Sequence, residues 1–234
     1  MEKKNISISV CVPAFNEEGS LRAAVEDLLT TLSTAVQKLE IIIVNDGSTD
    51  FTPRLAEQLA RIYYQVKVIH HKINLGIGVC YRDALLVAGG EYFTWFPGDH
   101  ENSAEEFVQC LPYLGDGTVV TCYHQGQDSR TVLRRWLSRS YTRILNKYLH
   151  FNLKYYNGLT IFPTSILRSM PLVADGFGFP AESLVRAIQR GCPILELLAP
   201  LNKRRWGKSK AFSLLSLSRT ARDIFKFFTT RDKK

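Results

Sequence analysis

The stretch EIIIVND, Glu40 to Asp46, sets four β-branched aliphatic residues in a row and then stops on two polar ones. A strand without polar alternation is buried on both faces, which happens when helices cover both sides of a parallel sheet. The surrounding sequence keeps that rhythm. ISISVCV (Ile6 to Val12) is a β-rich run closed by Pro13, and the next segment carries Leu21, Ala24, Val25, Leu28, Leu29 and Leu32 at helical spacing. A helix follows from about Thr52, with Pro53 in its first turn. VKVIH reads as a third strand, GVCYRDALLVA as a helix ended by Gly89-Gly90, and EYFTWF as a fourth strand. After a helix near Ala104 to Leu114, GTVVTCY is a fifth. The alternation predicts an α/β fold with a doubly wound, largely parallel central sheet flanked by helices.

The second half is less regular. SRTVLRRWLSRSYTRILNKYLHF spaces Arg135, Arg139, Arg143 and Lys147 four residues apart, beside an apolar face that includes Trp136, Ile144 and Leu145. This is an amphipathic basic helix. NGLTIF is a strand, PAESLVRAIQRG a helix with Gly191 just past its end, and PILELLAP a last strand. FSLLSLSRTARDIFKFF is a final helix.

At 234 residues the chain suits one domain with a short appendage. Its five cysteines are scattered and form no C-x-x-C pair, which suits free thiols in a reducing compartment. The N-terminus has no apolar signal-peptide core, and no run reaches the ~18–20 apolar residues of a membrane-spanning helix. The expected location is therefore cytoplasmic, with peripheral contact on the cytoplasmic membrane face. Net charge is +8, yet Lys203 to Lys234 alone holds eleven Lys or Arg against Asp223 and Asp232, a net +9. Such a block suits an anionic lipid surface or a phosphorylated substrate. No nucleic-acid motif accompanies it, and nucleic acid is not an expected partner.

In open parallel sheets, ligands gather beyond the carboxyl ends of the strands. The ends here read Pro13-Ala14-Phe15-Asn16-Glu17, Asn45-Asp46-Gly47-Ser48 and Pro97-Gly98-Asp99-His100-Glu101. Asp46 suits hydrogen bonding to a base or ribose; it equally suits an Asx-turn or a cap for the following helix. Asp99 and Glu101 alternate, so in a strand-like loop their carboxylates face one way and His100 the other. Two hard oxygen donors suffice for Mg²⁺ or Mn²⁺ when a diphosphate completes the shell. The plain alternative is a solvated Pro-Gly-Asp turn.

Taken together, VPAFNEE, IIIVNDGSTD, NLGIG followed by GGEY, and the acidic loop resemble the family 2 glycosyltransferases of the GT-A fold. GFGFPAESLVRAIQRG followed by RRWGKSK resembles the branch that loads sugars onto dolichyl or polyprenyl phosphate. The resemblance covers roughly residues 6 to 212. It implies a Rossmann-like GT-A domain over residues 1–210, with a nucleotide-sugar half at about 1–122 and an acceptor half at about 123–210. A basic amphipathic C-terminal helix and tail would occupy 211–234, packed on the domain or lying at a membrane interface.

The resemblance also implies roles for particular residues. Pro13, Ala14, Phe15, Glu17, Asp46, Lys72, Asn74, Pro97, Gly98 and Asp99 would bind the GDP- or UDP-linked sugar. Asp99 and Glu101 would hold a divalent metal, Mg²⁺ or Mn²⁺. Pro97 stands where the family's first metal-motif Asp is usual, and Glu101 where Gln is common. Arg130, Arg204, Ser209 and Lys210 would hold the phosphate of the acceptor; Arg135 and Arg139, read from the basic helix, either join them or belong to a solvated helix face. An acceptor phosphate is already anionic and attacks without a base, whereas a saccharide hydroxyl needs one. Glu182 is the candidate for that task, or else a favourable acidic residue in a first helical turn. The first expectation is an inverting glycosyltransferase acting on a polyprenyl phosphate. Its rivals are transfer to a glycan hydroxyl, which YYNGLTIF favours, and a non-catalytic nucleotide-sugar-binding protein whose metal site has decayed at Pro97.

Overall fold

A computed structural model describes residues 3–100, 102–124 and 132–199, with the backbone alone at 124, 132–138, 148 and 149. In chain order the elements are β1 (Lys4–Ala14), α1 (Leu21–Leu32), β2 (Val36–Asp46), α2 (Thr52–Ile62), β3 (Val66–His71), α3 (Ile77–Val87) and β4 (Tyr92–Trp95). There follow α4 (Glu105–Cys110), a 3-10 turn at Leu111–Tyr113, β5 (Val119–His124), α5 (Val132–Leu149), β6 (Thr160–Pro163), α6 (Thr164–Arg168), α7 (Phe179–Gln189) and β7 (Ile194–Ala199). The expected C-terminal helix at 211–234 lies outside the described residues.

The strands form one sheet in the order β3-β2-β1-β4-β6-β5-β7. β1 pairs parallel with β2 and β4, β2 with β3, and β5 with β7; β6 runs antiparallel between β4 and β5. Every described strand except β6 therefore points the same way, and the carboxyl ends of β1 to β5 and β7 lie along a single edge.

The apolar run at 41–44 divides its residues between the two faces. Ile41 and Ile43 pack into a core with α1, α2 and α4, while Ile42 and Val44 pack into a second core with α3 and α7. All four are fully buried, which at about 1.5–3 kcal/mol per aliphatic side chain makes β2 the spine of the fold. The apolar positions expected on α1 are the ones buried there.

Two departures from the sequence expectation have local causes. The helix expected to reach Leu114 stops as α-helix at Cys110, because Pro112 supplies no N–H to continue the ladder and the chain tightens into the 3-10 turn. α6 was not expected; its five residues are too short to show a period. Its Arg168 guanidinium donates to the backbone carbonyls of Leu85, Leu86 and Ala88, satisfying the C-terminal end of α3.

At the other edge of the sheet, Glu40 joins β2 to β1 and to the α3–β4 corner. Its carboxylate accepts from the Ser9 hydroxyl at 2.5 Å and the Gly89 N–H at 2.7 Å, with the Lys67 ammonium 2.6 Å away. Burial raises the Glu40 pKa, but the Gly89 N–H, Lys67 and Ser9 outweigh it and hold the group below its ordinary 4.5. A depressed carboxyl stabilises the fold above its unfolded pKa, and that contribution disappears as pH falls through the folded value. Glu40→Gln should therefore cost about 1 kcal/mol in urea denaturation at pH 7. The difference from the parent protein should shrink below about pH 4.

Candidate functional site

The loops after β1 and β2 are laced together at the carboxyl edge. The Asn16 N–H donates to the Ser48 hydroxyl (3.0 Å), the Thr49 N–H to Asn16 Oδ1 (2.9 Å), and the Glu17 N–H to the Thr52 hydroxyl (2.8 Å). The Phe51 N–H donates to Glu18 Oε2 at 2.8 Å and the Glu18 N–H to Asp50 Oδ2 at 3.3 Å. Asn16 holds φ 54° to allow this. The edge is thus prearranged, with the Phe15 ring 38% exposed on it. Pro13 is half-buried and Ala14 buried, its carbonyl accepting from Ser48 Oγ. Glu17 Oε2 accepts from the Ser20 hydroxyl at 2.8 Å.

Asp46, 4% exposed, is the centre of the second half of the site. Oδ1 accepts the Leu75 N–H at 2.8 Å and Oδ2 the Gly76 N–H at 2.9 Å. The Asn74 amide donates to the Asp46 backbone carbonyl at 3.3 Å. Most of the carboxylate's accepting capacity is therefore taken by the β3–α3 loop, on which Lys72 and Asn74 are exposed. The turn-forming alternative falls to neighbours instead: Asn45 Oδ1 accepts the Ser48 N–H, and Asp50 Oδ1 the Thr52 N–H at the start of α2.

His71 is a site residue that the sequence reading missed. Its Nδ1 lies 2.8 Å from Asp46 Oδ1 and its Nε2 3.1 Å from Asp83 Oδ2. Both ring nitrogens thus face carboxylate oxygens. The sequence holds a signal for this pairing, since parallel register sets the last residue of β3 beside the last of β2.

Asp46, His71 and Cys80 each bring a ligand-type atom within 4.8 Å of the others. This trio does not suit Mg²⁺ or Mn²⁺. Burial, and then the charge of Asp46, push the Cys80 thiol far up, while imidazole and thiol are ligands for softer metals. Asp99, a hard oxygen donor beyond the end of β4, suits those ions better.

The acidic loop is not strand-like. Pro97 to His100 form a turn in which the His100 N–H donates to the Pro97 carbonyl at 3.3 Å, and His100 takes φ 55°. A left-handed residue breaks the expected alternation at 99–101. His100 nevertheless points away from the edge, toward Asp27 of α1. Gly98 is buried against β1, where an added Cβ would stand 2.8 Å from the Pro13 carbonyl oxygen. Close backbone contact thus sets Asp99 beside the β1 loop.

Glu182 receives a different task from the one expected. It is 2% exposed; Oε1 and Oε2 each lie 3.0 Å from the Val173 N–H, and Oε2 accepts the Ala174 N–H at 2.8 Å. Arg186 closes the cluster, with Nε and Nη2 both 2.9 Å from Oε1. A carboxylate so enclosed holds backbone, and Glu182 stands in the first turn of α7, where the alternative reading puts an acidic residue. Arg139 is exposed on α5; Arg135 lies on the same helix, with its side chain outside the described residues. Glu101, Arg130, Arg204, Ser209 and Lys210 also lie outside them. The strands that lead toward the last four, β5 and β7, both end at the carboxyl edge.

Solved structures share this architecture. Glucosyl-3-phosphoglycerate synthase from Mycobacterium tuberculosis in complex with UDP has a TM-score of 0.71 over 97% of this chain and 82% of its own, at 20% identity. The same enzyme with Mn²⁺, UDP and phosphoglyceric acid gives 0.70 over 97% and 80%, at 19% identity. Among curated relatives, the putative glycosyltransferase EpsH of Bacillus subtilis is 32% identical over 122 residues, 52% of this chain and 34% of that protein. Dolichyl-phosphate beta-glucosyltransferase ALG5A of Trichomonas vaginalis is 29% identical over 147 residues, 57% of this chain and 46% of that protein. The matches span less than half the length of these two relatives. The family model described as Glycosyl transferase family 2 matches residues 9–177, which takes in the loops after β1, β2, β3 and β4 together with the Ala174–Asp175 segment. The chain belongs to glycosyl transferase family 2.

Proposed function

We propose that the protein is an inverting glycosyltransferase that moves a sugar from a nucleotide-sugar donor to a polyprenyl phosphate. The donor would lie across the laced loops at the carboxyl edge. Pro13, Phe15, Glu17, Lys72 and Asn74 would line it, and Asp46 would hold the β3–α3 loop in the shape that receives the nucleotide. Asp99, with Glu101 as the second carboxylate in sequence, would hold a divalent ion. Bound there, such an ion would offset negative charge on the leaving diphosphate.

The acceptor reading rests on the enclosure of Glu182. The carboxylate that the sequence offered as a base is fully engaged with Val173, Ala174 and Arg186, and an anionic acceptor needs no base. Arg130, Arg204 and Lys210 would hold that anion by its charge, with Ser209 beside them. Arg135 and Arg139 would add positive potential from α5. Relatives support a phosphate-bearing acceptor: one is named for dolichyl phosphate, and the solved synthase was crystallised with phosphoglyceric acid.

The test is nucleotide release from UDP- and GDP-sugars, with Mn²⁺ or EDTA, and with a short polyprenyl phosphate, phosphoglycerate or a saccharide as acceptor. Metal-dependent release with the lipid phosphate alone is the expected result. Turnover driven by the saccharide instead would overturn the acceptor reading. Nucleotide binding without turnover on any acceptor would restore the non-catalytic rival. Asp99→Asn should lower kcat about a hundredfold. Asp46→Asn should raise the donor KM about tenfold, with faster hydrogen exchange at the Leu75 and Gly76 amides and a smaller effect on kcat.

A further inference from the structure

Asp27 stands on α1, a helix whose buried positions serve the core. Its own carboxylate reaches the loop that follows β4. Oδ2 lies 3.2 Å from His100 Nε2 and accepts the Ala104 N–H at 3.0 Å, while Oδ1 accepts the Thr31 hydroxyl at 3.3 Å. A single oxygen therefore ties the loop at two points, immediately after Asp99 and immediately before α4. The other side of the loop is fixed by backbone, through Gly98 on the Pro13 carbonyl and the Phe96 N–H on the Cys11 carbonyl at 2.8 Å. His100 keeps a left-handed φ of 55°, a conformation that a non-glycine residue holds when its surroundings over-determine it.

We propose that Asp27 is a positioning residue for the acidic loop: through His100 and Ala104 it holds Asp99 in the orientation that receives a divalent ion. The inference rests on the metal role given to Asp99 above. The His100 and Asp27 side chains are 36% and 23% exposed, so their pairing adds little to the stability of the fold. Its consequence falls on geometry. Groups that orient a metal ligand without touching the metal change affinity by about 10–100-fold when removed.

The experiment uses the whole chain, with Mn²⁺ in the presence of UDP, and of GDP in parallel, as the probe. Mn²⁺ affinity is measured by calorimetry, loop order by hydrogen exchange at the His100 and Ala104 amides, and stability by Tm. In Asp27→Ala, Mn²⁺ affinity should fall about tenfold and both amides should exchange faster, with metal-free nucleotide affinity close to the parent value and Tm lower by about 2–4 °C for the lost Ala104 bond. Asp27→Asn keeps an oxygen that can accept the Ala104 N–H and should recover most of the loss. His100→Asn tolerates the left-handed backbone but is too short to reach Asp27; it removes one tie of the two, and should lose part of the Mn²⁺ affinity with faster exchange at the residue 100 amide while the Ala104 amide stays protected. The double variant Asp27→Ala/His100→Asn should be no worse than Asp27→Ala alone. Unchanged exchange in Asp27→Ala would overturn the tether; faster exchange with unchanged Mn²⁺ affinity would overturn its service to the metal. A parent protein that binds no Mn²⁺ with either nucleotide would overturn the metal reading itself, before any variant is made.

Discussion

The arrangement of the site depends on one buried carboxylate, Asp46, at the point where β2 leaves the core. Its two oxygens receive successive backbone N–H groups, Leu75 and Gly76, and the His71 ring. The loop so captured then packs on the segment before α7. The Gly78 N–H donates to the Asp175 carbonyl at 2.9 Å, and a Cβ on Gly78 would stand only 2.1 Å from the Ala174 carbonyl oxygen. Arg82 of α3 reaches the same segment, with Nη2 2.6 Å from Asp175 Oδ1. The contact is backbone on backbone, and glycine permits it because there is no side chain to keep the segments apart.

That dependence is a consequence of the sheet. β2 is packed on both faces, and Asp46 stands where that packed strand ends. The loops after β1, β2 and β4 likewise leave strands in parallel register. Parallel pairing also brings β3 beside β2, so His71 and Asp46 become neighbours although 25 residues separate them. Loops carry the chemistry here, yet their positions derive from the strands beneath them.

This division explains what the sequence discloses. The apolar run at 41–44 and the helical spacing on α1 are local patterns, and the folded chain keeps them. Edge loops rich in Pro, Gly and Asp were legible because strand ends in a parallel sheet must share one side. The ties that fix those loops were not. Asp27 meets His100 across 73 residues, and nothing on α1 marks Asp27 among the other solvent-facing positions of that helix. The strand-like reading of the acidic loop assumes extended backbone, whereas His100 turns left-handed. α6 escaped for want of length, and α4 ended early at a proline whose effect depends on where the preceding helix begins.

Glu182 shows what a buried acidic residue in a first helical turn can hold together. Burying a carboxylate and a guanidinium together, each side chain 1% exposed, is costly, and an apolar pair of similar volume often serves a core as well. Such a pair could not hold the Val173 and Ala174 N–H groups. Those groups belong to the segment whose next residue, Asp175, receives the Gly78 N–H and the Arg82 guanidinium. Glu182 therefore lies at one end of a hydrogen-bonded path that has Asp46 at the other. The charge is retained for what it connects: it sets the start of α7 against the loop that Asp46 shapes.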